Sequence, residues 1–482
     1  MIDLRPVAYV IGLLLVALAV AMLLPMAVDL AEGNGNAAAF LESAVLTGAA
    51  GGFMALACRN AAPKALTLRQ SFLLTSGIWL AVPLFGALPL MIGAPRAGFT
   101  DAVFEAMSGV TTTGATVFTG LDGLPAGANL WRGLLQWLGG LGIVIVAMIF
   151  LPVMKIGGMQ FFRSEGFDTL GKVLPRAFDI SAALLRVYCG LTVLCLCAYM
   201  AVGLSGFDAT MHALTTISTG GFSSYDASFG ALIGAPEVVA SAFMLLASLP
   251  FVRFVQLIHG HAAPFWQDVQ VRAFLRWTAG LILLLLLYRL TSGEMTPGLA
   301  LRETVFNVIS VMSGTGFVSA DITRWGEMSL VVLMIAGLVG GCTSSTVCSI
   351  KVFRWLVLFG AIRAALRGLH SPNRVRRVHL GGRVVEDEVV SSVMAFLSLF
   401  LLSFGVLIVA LSLTGLDSQT AITAAWTAIA NVGPAWGPEV GPTGAMGDFP
   451  AAAKWMMTFG MFAGRLELLS VFVLFLPRFW RG

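Results

Sequence analysis

Four times in this chain an apolar stretch is broken by a short polar segment built on glycine and hydroxyl residues. The first is Ser108-Gly-Val-Thr-Thr-Thr-Gly-Ala-Thr-Val117. The others are Ile217-Ser-Thr-Gly-Gly-Phe-Ser223, Ser313-Gly-Thr-Gly-Phe-Val-Ser319 and Asn431-Val-Gly-Pro434. Within a bilayer, backbone N–H and C=O groups must be satisfied by protein or by a water-filled cavity, so irregular backbone between spanning helices marks a cavity. The surroundings are of membrane type. Of 482 residues, 58% are hydrophobic and 11% charged, against about 25% charged in a soluble domain. Stretches of the ~20 apolar residues that a spanning helix needs fill most of the sequence.

The pattern predicts an all-α integral membrane protein with ten transmembrane helices. Val7–Val28 and Ala37–Cys58 form a hairpin around the acidic turn Asp29–Asn36, and Gly48, Gly51 and Gly52 suit close helix packing in lipid. The first run is longer than the ~7–15 residue core of a secretory signal and a second follows at once, so a retained helix is expected. A trio of spanning helix, short half-helix with polar turn, and spanning helix then recurs four times. The first is Ser71–Ile92, Asp101–Thr113 and Leu130–Val153; the second is Ala182–Val202, Phe207–Thr219 and Pro236–Ile258. The third is Arg272–Leu290, Leu301–Thr315 and Ser329–Leu358, and the fourth is Val389–Leu413, Ser418–Val432 and Ala453–Phe479. The expected units are a hairpin over 1–69 and helix–pore-loop–helix repeats over 70–180, 181–270, 271–383 and 384–482. Four repeats in one chain imply pseudo-fourfold symmetry around one central pore.

Loop charge orients the chain. With both termini in the cytoplasm, about 22 of the Lys and Arg residues fall on the cytoplasmic side or at its edge. They include Lys64, Lys155, Arg163, Lys172, Arg176, Arg253, Arg272 and Arg276, and the basic hairpin with Arg363, Arg367, Arg374, Arg376, Arg377 and Arg383. That hairpin suits anionic membrane lipid or a regulatory partner, and positive-inside retention alone also explains it. The opposite side carries the polar turns with Asp101, Asp122, Asp208, Asp226, Glu237, Asp321 and Glu327. An acidic mouth gathers cations; taken singly, most of these acids read as solvated loop residues.

Aligned on a glycine, the polar segments read Thr112-Thr113-Gly114, Ser218-Thr219-Gly220, Gly314-Thr315-Gly316 and Asn431-Val432-Gly433. A ring of backbone carbonyls can replace an ion's hydration shell. It needs extended backbone, and glycine permits the unusual φ/ψ values. Half-helices that aim their C-terminal ends at the centre favour a cation there. The expectation is an ion-selectivity filter.

These stretches also carry a resemblance. Asp101-Ala-Val-Phe-Glu-Ala-Met-Ser-Gly-Val-Thr-Thr-Thr-Gly-Ala-Thr116, Gln136-Trp-Leu-Gly-Gly-Leu-Gly142, Ser218-Thr-Gly-Gly-Phe-Ser223, Asn431-Val-Gly-Pro434 and Gly464-Arg-Leu-Glu467 resemble the TrkH-type subunits of the Trk/Ktr/HKT superfamily of potassium transporters. The likeness covers essentially the whole chain, including an N-terminal hairpin that KtrB-type subunits lack. It implies potassium uptake across the cytoplasmic (inner) membrane through a gated, channel-like pore. Potassium is then the transported ion, with no organic cofactor in the chain. It also implies a homodimer with one pore per protomer and a cytoplasmic ring of TrkA-like nucleotide-binding regulatory subunits; no nucleic-acid partner is expected. Glycine at all four filter positions resembles the potassium-selective members, whereas sodium-preferring relatives tend to carry Ser at the first.

Two gating elements follow from the resemblance. The third repeat's second helix is interrupted by Gly340, Gly341, Cys342, Thr343, Ser344, Ser345 and Thr346, with Lys351 and Arg354 beyond. In the family this is an intramembrane loop that obstructs the pore under the filter; the alternative is a Ser/Thr-rich helix bonding its own backbone. Val347, Cys348 and Ser349 stand where relatives carry glycines, which stiffens the segment. Arg465, a charge within the last apolar helix, is placed by the family at the pore near that loop. A pairing with Glu467 is the alternative, although residues two apart on a helix do not face each other. The fourth filter segment departs from the pattern, with Ala435 and Trp436 where another glycine is common.

The nearest rival reading is a sodium-permeable or ion-coupled transporter of the same architecture. A polytopic membrane enzyme would need a catalytic cluster at depth, and the five histidines, mostly in loops, offer none. His259-Gly-His261 and Cys195-Leu-Cys197 each lack further ligands nearby, and all six cysteines read as reduced, small apolar residues.

Overall fold

The apolar runs become helices that pack around a polar centre. The structure, a computed structural model, describes residues 2–61, 66–149, 177–292, 296–370, 377–441 and 443–481. Of the basic loop residues, Lys64, Lys155, Arg163, Lys172, Arg176, Arg374 and Arg376 lie outside the described residues. Among the described residues six helices are each long and apolar enough to cross a membrane, and eight spans result if each of two bent pairs is counted as one. Ala126–Ile149, and the broken pair Glu327–Val339 with Val352–His370, complete the ten of the sequence pattern. Leu283, Leu284 and Leu287, with Val45 and Phe53, point outward, as side chains facing lipid tails do. The one pair of β-strands among the described residues is a hairpin of His379–Leu380 with Arg383–Val384.

Arg5–Glu32 and Ala37–Ala57 cross where Gly12 meets Gly51. A Cβ on either would stand 2.7 Å from the other's carbonyl oxygen. Of the three glycines expected to pack closely, Gly51 sits at this crossing, Gly48 faces Ala19 of the first helix with a Cβ there standing 3.4 Å away, and Gly52 faces open space. The turn after the first helix docks the hairpin. Asp29, fully buried, accepts from Asn34 and Asn36 at 2.8 Å each and from the Gly127 N–H at 2.7 Å. The carboxylate thereby meets the positive end of Ala126–Ile149.

Four half-helices descend between the spans: Phe99–Val110, Gly206–Ile217, Pro297–Met312 and Ser418–Ala430. Their starts carry the expected signals. The Ser205 hydroxyl accepts from the Asp208 N–H, the Asp417 carboxylate accepts from Gln419, and Pro297 opens the third. Each ends within a residue or two of its polar segment.

Two spans that read as continuous helices are bent instead. Ala235–Ala247 turns by 92° into Phe251–Ile258. Pro250, which lacks an N–H, sits in that corner. Ala451–Arg465 turns by 104° into Leu469–Phe475, with Glu467 and Leu468 in the left-handed region at φ 60° and 44°. Gly464 lies just before this second bend but stays within the helix, packed against the Ile429 carbonyl. The buried Glu467 carboxylate holds the bend through Arg354 and through Lys351 at 3.6 Å.

Candidate functional site

The four polar segments share one backbone path. Thr112, Thr219, Gly314 and Asn431 all take positive φ, between 52° and 71°. Three half-helix ends are closed alike: the Thr113, Gly220 and Val432 N–H groups bond five residues back, to Ser108, Thr215 and Thr427, while in the third repeat the Gly316 N–H bonds six back, to Ser310. Superposing these landmarks aligns Thr112-Thr113-Gly114 with Thr219-Gly220-Gly221, Gly314-Thr315-Gly316 and Asn431-Val432-Gly433. The second segment is therefore shifted by one from the sequence alignment: Gly221, not Gly220, is the counterpart of Gly114, and Ser218 is the counterpart of Thr111. Gly221, at φ 80°, matches Gly114 at 84° and Gly316 at 80°. The Gly-Phe step shared by Gly221-Phe222 and Gly316-Phe317 was the sequence signal for this register.

The segments close a circle in repeat order. A Cβ at Gly114 would overlap the Gly220 carbonyl oxygen, and one at Gly221 would overlap that of Thr315. At Gly316 it would sit 2.7 Å from the Gly433 nitrogen, and at Gly433 it would sit 3.2 Å from the Thr113 oxygen. First meets second, second third, third fourth, and fourth first. Among the described residues, no donor bonds the carbonyls of Thr112, Thr113, Gly314, Thr315, Asn431 or Val432. Buried carbonyls without donors are costly unless a ligand or water meets them. Above the circle opens a cavity of about 730 Å³ lined by Gly114, Gly221, Gly316 and Gly433.

Bracing residues that the sequence reading passed over hold the segments. Glu105, His212 and Asn307 occupy one position, seven residues before the left-handed residue in each of the first three repeats. Glu105 accepts from Thr116 Oγ1 at 2.9 Å and the Val117 N–H at 3.0 Å. His212 Nδ1–H donates to the Asp208 carbonyl, so Nε2 accepts from Ser223 Oγ at 3.0 Å. Asn307 Nδ2 donates to Ser319 Oγ at 3.0 Å. The fourth repeat has Ala424 there, and neighbouring Thr423 Oγ1 accepts from the Trp436 N–H at 3.1 Å. Trp436, the departure noted in sequence, stacks on Trp426 at 5.4 Å. Arg132 pairs with Glu105 at 2.8 Å and donates to the Ser223 carbonyl at 2.9 Å, tying the first segment to the second. Lys454 reaches Asp101 at 2.6 Å, joining the last repeat to the first.

Several acids of the outer mouth have local work. Asp226 accepts from the Gly120 and Leu121 N–H groups, Asp122 accepts from the Asp226 N–H, and Glu237 faces Arg302 at 3.5 Å. Asp226 and Asp321 line the cavity. Tyr225 beside them stays neutral, its phenol pushed up to about 12 by burial first and then by the Asp208 charge.

Directly beneath the circle lies the break in the third repeat. Val347 packs so near Gly314 that a Cβ there would stand 3.3 Å from Cγ1. Thr219 Oγ1 donates to Thr346 Oγ1 at 3.1 Å. The segment is not a helix bonding itself. Its Cys342 N–H donates to the Ser248 carbonyl at 3.0 Å, its Thr343 N–H to Gln270 Oε1 at 3.0 Å, and its Ser344 carbonyl accepts from the Phe251 N–H at 2.9 Å. Ser345 Oγ closes onto the Cys342 carbonyl at 2.7 Å. Gly340 at φ 69° starts the break, and Gly341 packs on Val347. Arg465 donates to the Thr346 carbonyl at 3.2 Å and touches Cys348 Sγ. Among the described residues Glu467 pairs with Lys351 and Arg354, not with Arg465.

Known proteins match the chain over nearly its whole length. The family described as TrkH, cation transport protein, matches residues 37–481. The chain is 40% identical to the Trk system potassium uptake protein TrkI of Halomonas elongata, over 99% of this chain and 97% of that one. It is 38% identical to TrkH of the same organism over 99% of this chain and all of that one. The crystal structure of the potassium transporter TrkH from Vibrio parahaemolyticus superposes with a TM-score of 0.91 at 32% identity, covering 99% of this chain and 100% of that chain.

Proposed function

The chain belongs to the TrkH family of cation transport proteins, and from that premise we propose that it is a potassium uptake transporter whose four polar segments form one selectivity ring. The observation that carries this reading is the closed circle of Gly114, Gly221, Gly316 and Gly433 around carbonyls that, Gly220 apart, bond no donor among the described residues. Such oxygens, backed by the negative ends of four half-helices, substitute for the hydration shell of a monovalent cation. Thr112, Thr113, Gly114, Thr219, Gly220, Gly314, Thr315, Gly316, Asn431, Val432 and Gly433 make the ring, with Gly221 added and Ser218 one step below it.

The gate is the segment Gly340–Thr346 with Lys351 and Arg465. Its place under the ring supports that role: an ion leaving the ring meets Thr346 and Val347 first. Opening requires the segment to release the bend at Ser248–Phe251 and the Arg465 guanidinium. The driving force is electrical, about 2.3 kcal/mol per charge per 100 mV. In the full reading the protein is a homodimer in the cytoplasmic membrane, with both termini inside and a TrkA-like regulatory ring acting on the gate. The five-unit division at residues 69, 180, 270 and 383 describes its assembly.

Rubidium flux tests this. Purified protein in vesicles, with its regulatory ring and nucleotide, takes up rubidium under a negative-inside potential, and external potassium competes while sodium does not. Absence of rubidium uptake in every regulatory state contradicts the reading; equal competition by sodium favours the sodium-permeable alternative.

A further inference from the structure

The four quarters of the ring are unequal in one respect. The carbonyls of Thr113, Thr315 and Val432 bond no donor among the described residues, but their counterpart at Gly220 does. Gln136, fully buried on Ala126–Ile149, donates from Nε2 to the Gly220 oxygen at 2.6 Å. Its Oε1 accepts from the Phe222 N–H at 3.1 Å. The amide orientation follows from chemistry, because a backbone N–H requires the oxygen and a carbonyl requires the nitrogen. The side chain thus clips the second segment on both sides of Gly221.

We propose that Gln136 is a specificity-determining residue: its amide draws on the Gly220 carbonyl and lowers the field of that quarter of the ring. This deepens, and rests on, the reading of the ring as a potassium filter. A carbonyl oxygen has two lone pairs, so the Gly220 oxygen still faces the ring. Its negative charge is shared, however, between the N–H donor and any ion. A ring of weaker field strips water less readily from the smaller, more tightly hydrated sodium ion, so the clip favours potassium. It also fixes the oxygen against the Gly114 Cα, where a side chain would overlap it. Removing the donor strengthens that quarter's field and frees it to move inward, and both changes favour sodium.

Two variants test this. Gln136→Met keeps the length and loses both hydrogen bonds. Gln136→Glu in its protonated form can still donate from O–H to Gly220 and accept from Phe222, and it loses the donor on ionising. In the vesicle assay the ratio of potassium to sodium competition should fall about fivefold in Gln136→Met, the factor that one net hydrogen bond represents. In Gln136→Glu it should stay near the parental ratio at acidic pH and fall as pH rises. An unchanged ratio in Gln136→Met overturns the proposal, as does an equal loss in both variants at acidic pH, which would assign the effect to packing. If Gln136→Met does not assemble, the pH series of Gln136→Glu decides, and a flat series is against the proposal. Parental protein that fails to prefer potassium refutes the filter reading; a potassium-preferring parent with unaffected variants refutes only the role of Gln136.

Discussion

The four ring glycines are not equally replaceable. Gly114, Gly221 and Gly316 have φ near 80°, and a Cβ on Gly114 or Gly221 would overlap a neighbouring carbonyl oxygen. Gly433 lacks the positive φ, and its added Cβ would stand 3.2 Å from the nearest oxygen. Left-handed backbone costs an L-residue about 1–2 kcal/mol before any clash. Gly433→Ala should therefore retain more potassium selectivity than Gly114→Ala, as competition flux would show; the reverse order would mean that the fourth segment bears the tighter constraint. Arg132 is a second residue-scale case. It and Glu105 are both buried; Glu105 also accepts from the first segment, and Arg132 donates to Asn129 as well as to the first two segments. Breaking a buried pair from one side costs about 3–5 kcal/mol because the other charge is left uncompensated. Arg132→Met should lower the thermal midpoint in detergent by several degrees, and an unshifted midpoint would show that the pair is not a brace.

At the scale of elements, the sequence pattern was legible where it repeats. Half-helix, polar segment and span recur at similar spacing, and the break at Gly340 stands out as polar residues inside an apolar helix. The register of the second segment was harder to see, because Gly220-Gly221 offers two glycines and the one sequence signal, a Gly-Phe step shared with Gly316-Phe317, is short; backbone torsion decides it. The bend at Glu467 was hidden for a different reason. Its cause is an ion pair with Lys351 and Arg354, more than a hundred residues away in sequence. The bracing position of Glu105, His212 and Asn307 was obscured because acid, imidazole and amide do the same work there. Two predictions belong to elements. Deleting residues within Gly340–Ser349 should raise basal flux without the regulatory ring, since Val347 would no longer reach Gly314; a fall in flux would make the segment a support for the ring. In the fourth repeat's outer loop, a hydrogen bond from Thr420 foremost holds the Glu439 carboxyl below its ordinary range. Its stabilisation is fully present above the usual carboxylate pKa of about 4.3 and is lost as pH falls through the lower folded value. Proteolytic nicking between 437 and 447 should rise only in that acidic window, and Glu439→Gln should abolish the dependence.

The whole molecule is a frame around one axis. The N-terminal hairpin docks through Asp29 onto the start of Ala126–Ile149, which carries Arg132 and Gln136 to the ring. Lys454 and the bond from the Met446 N–H to the Thr116 carbonyl return the fourth repeat to the first. Closure matters because a ring open at one side would let water replace the missing carbonyls and would not discriminate between cations. The most direct test is rubidium uptake under competition by potassium and by sodium, measured side by side for the parent protein and Gly114→Ser in vesicles. A closed potassium ring should give potassium-only competition in the parent, with sodium competing in a variant that still reaches the membrane. Identical potassium preference in both proteins would contradict it.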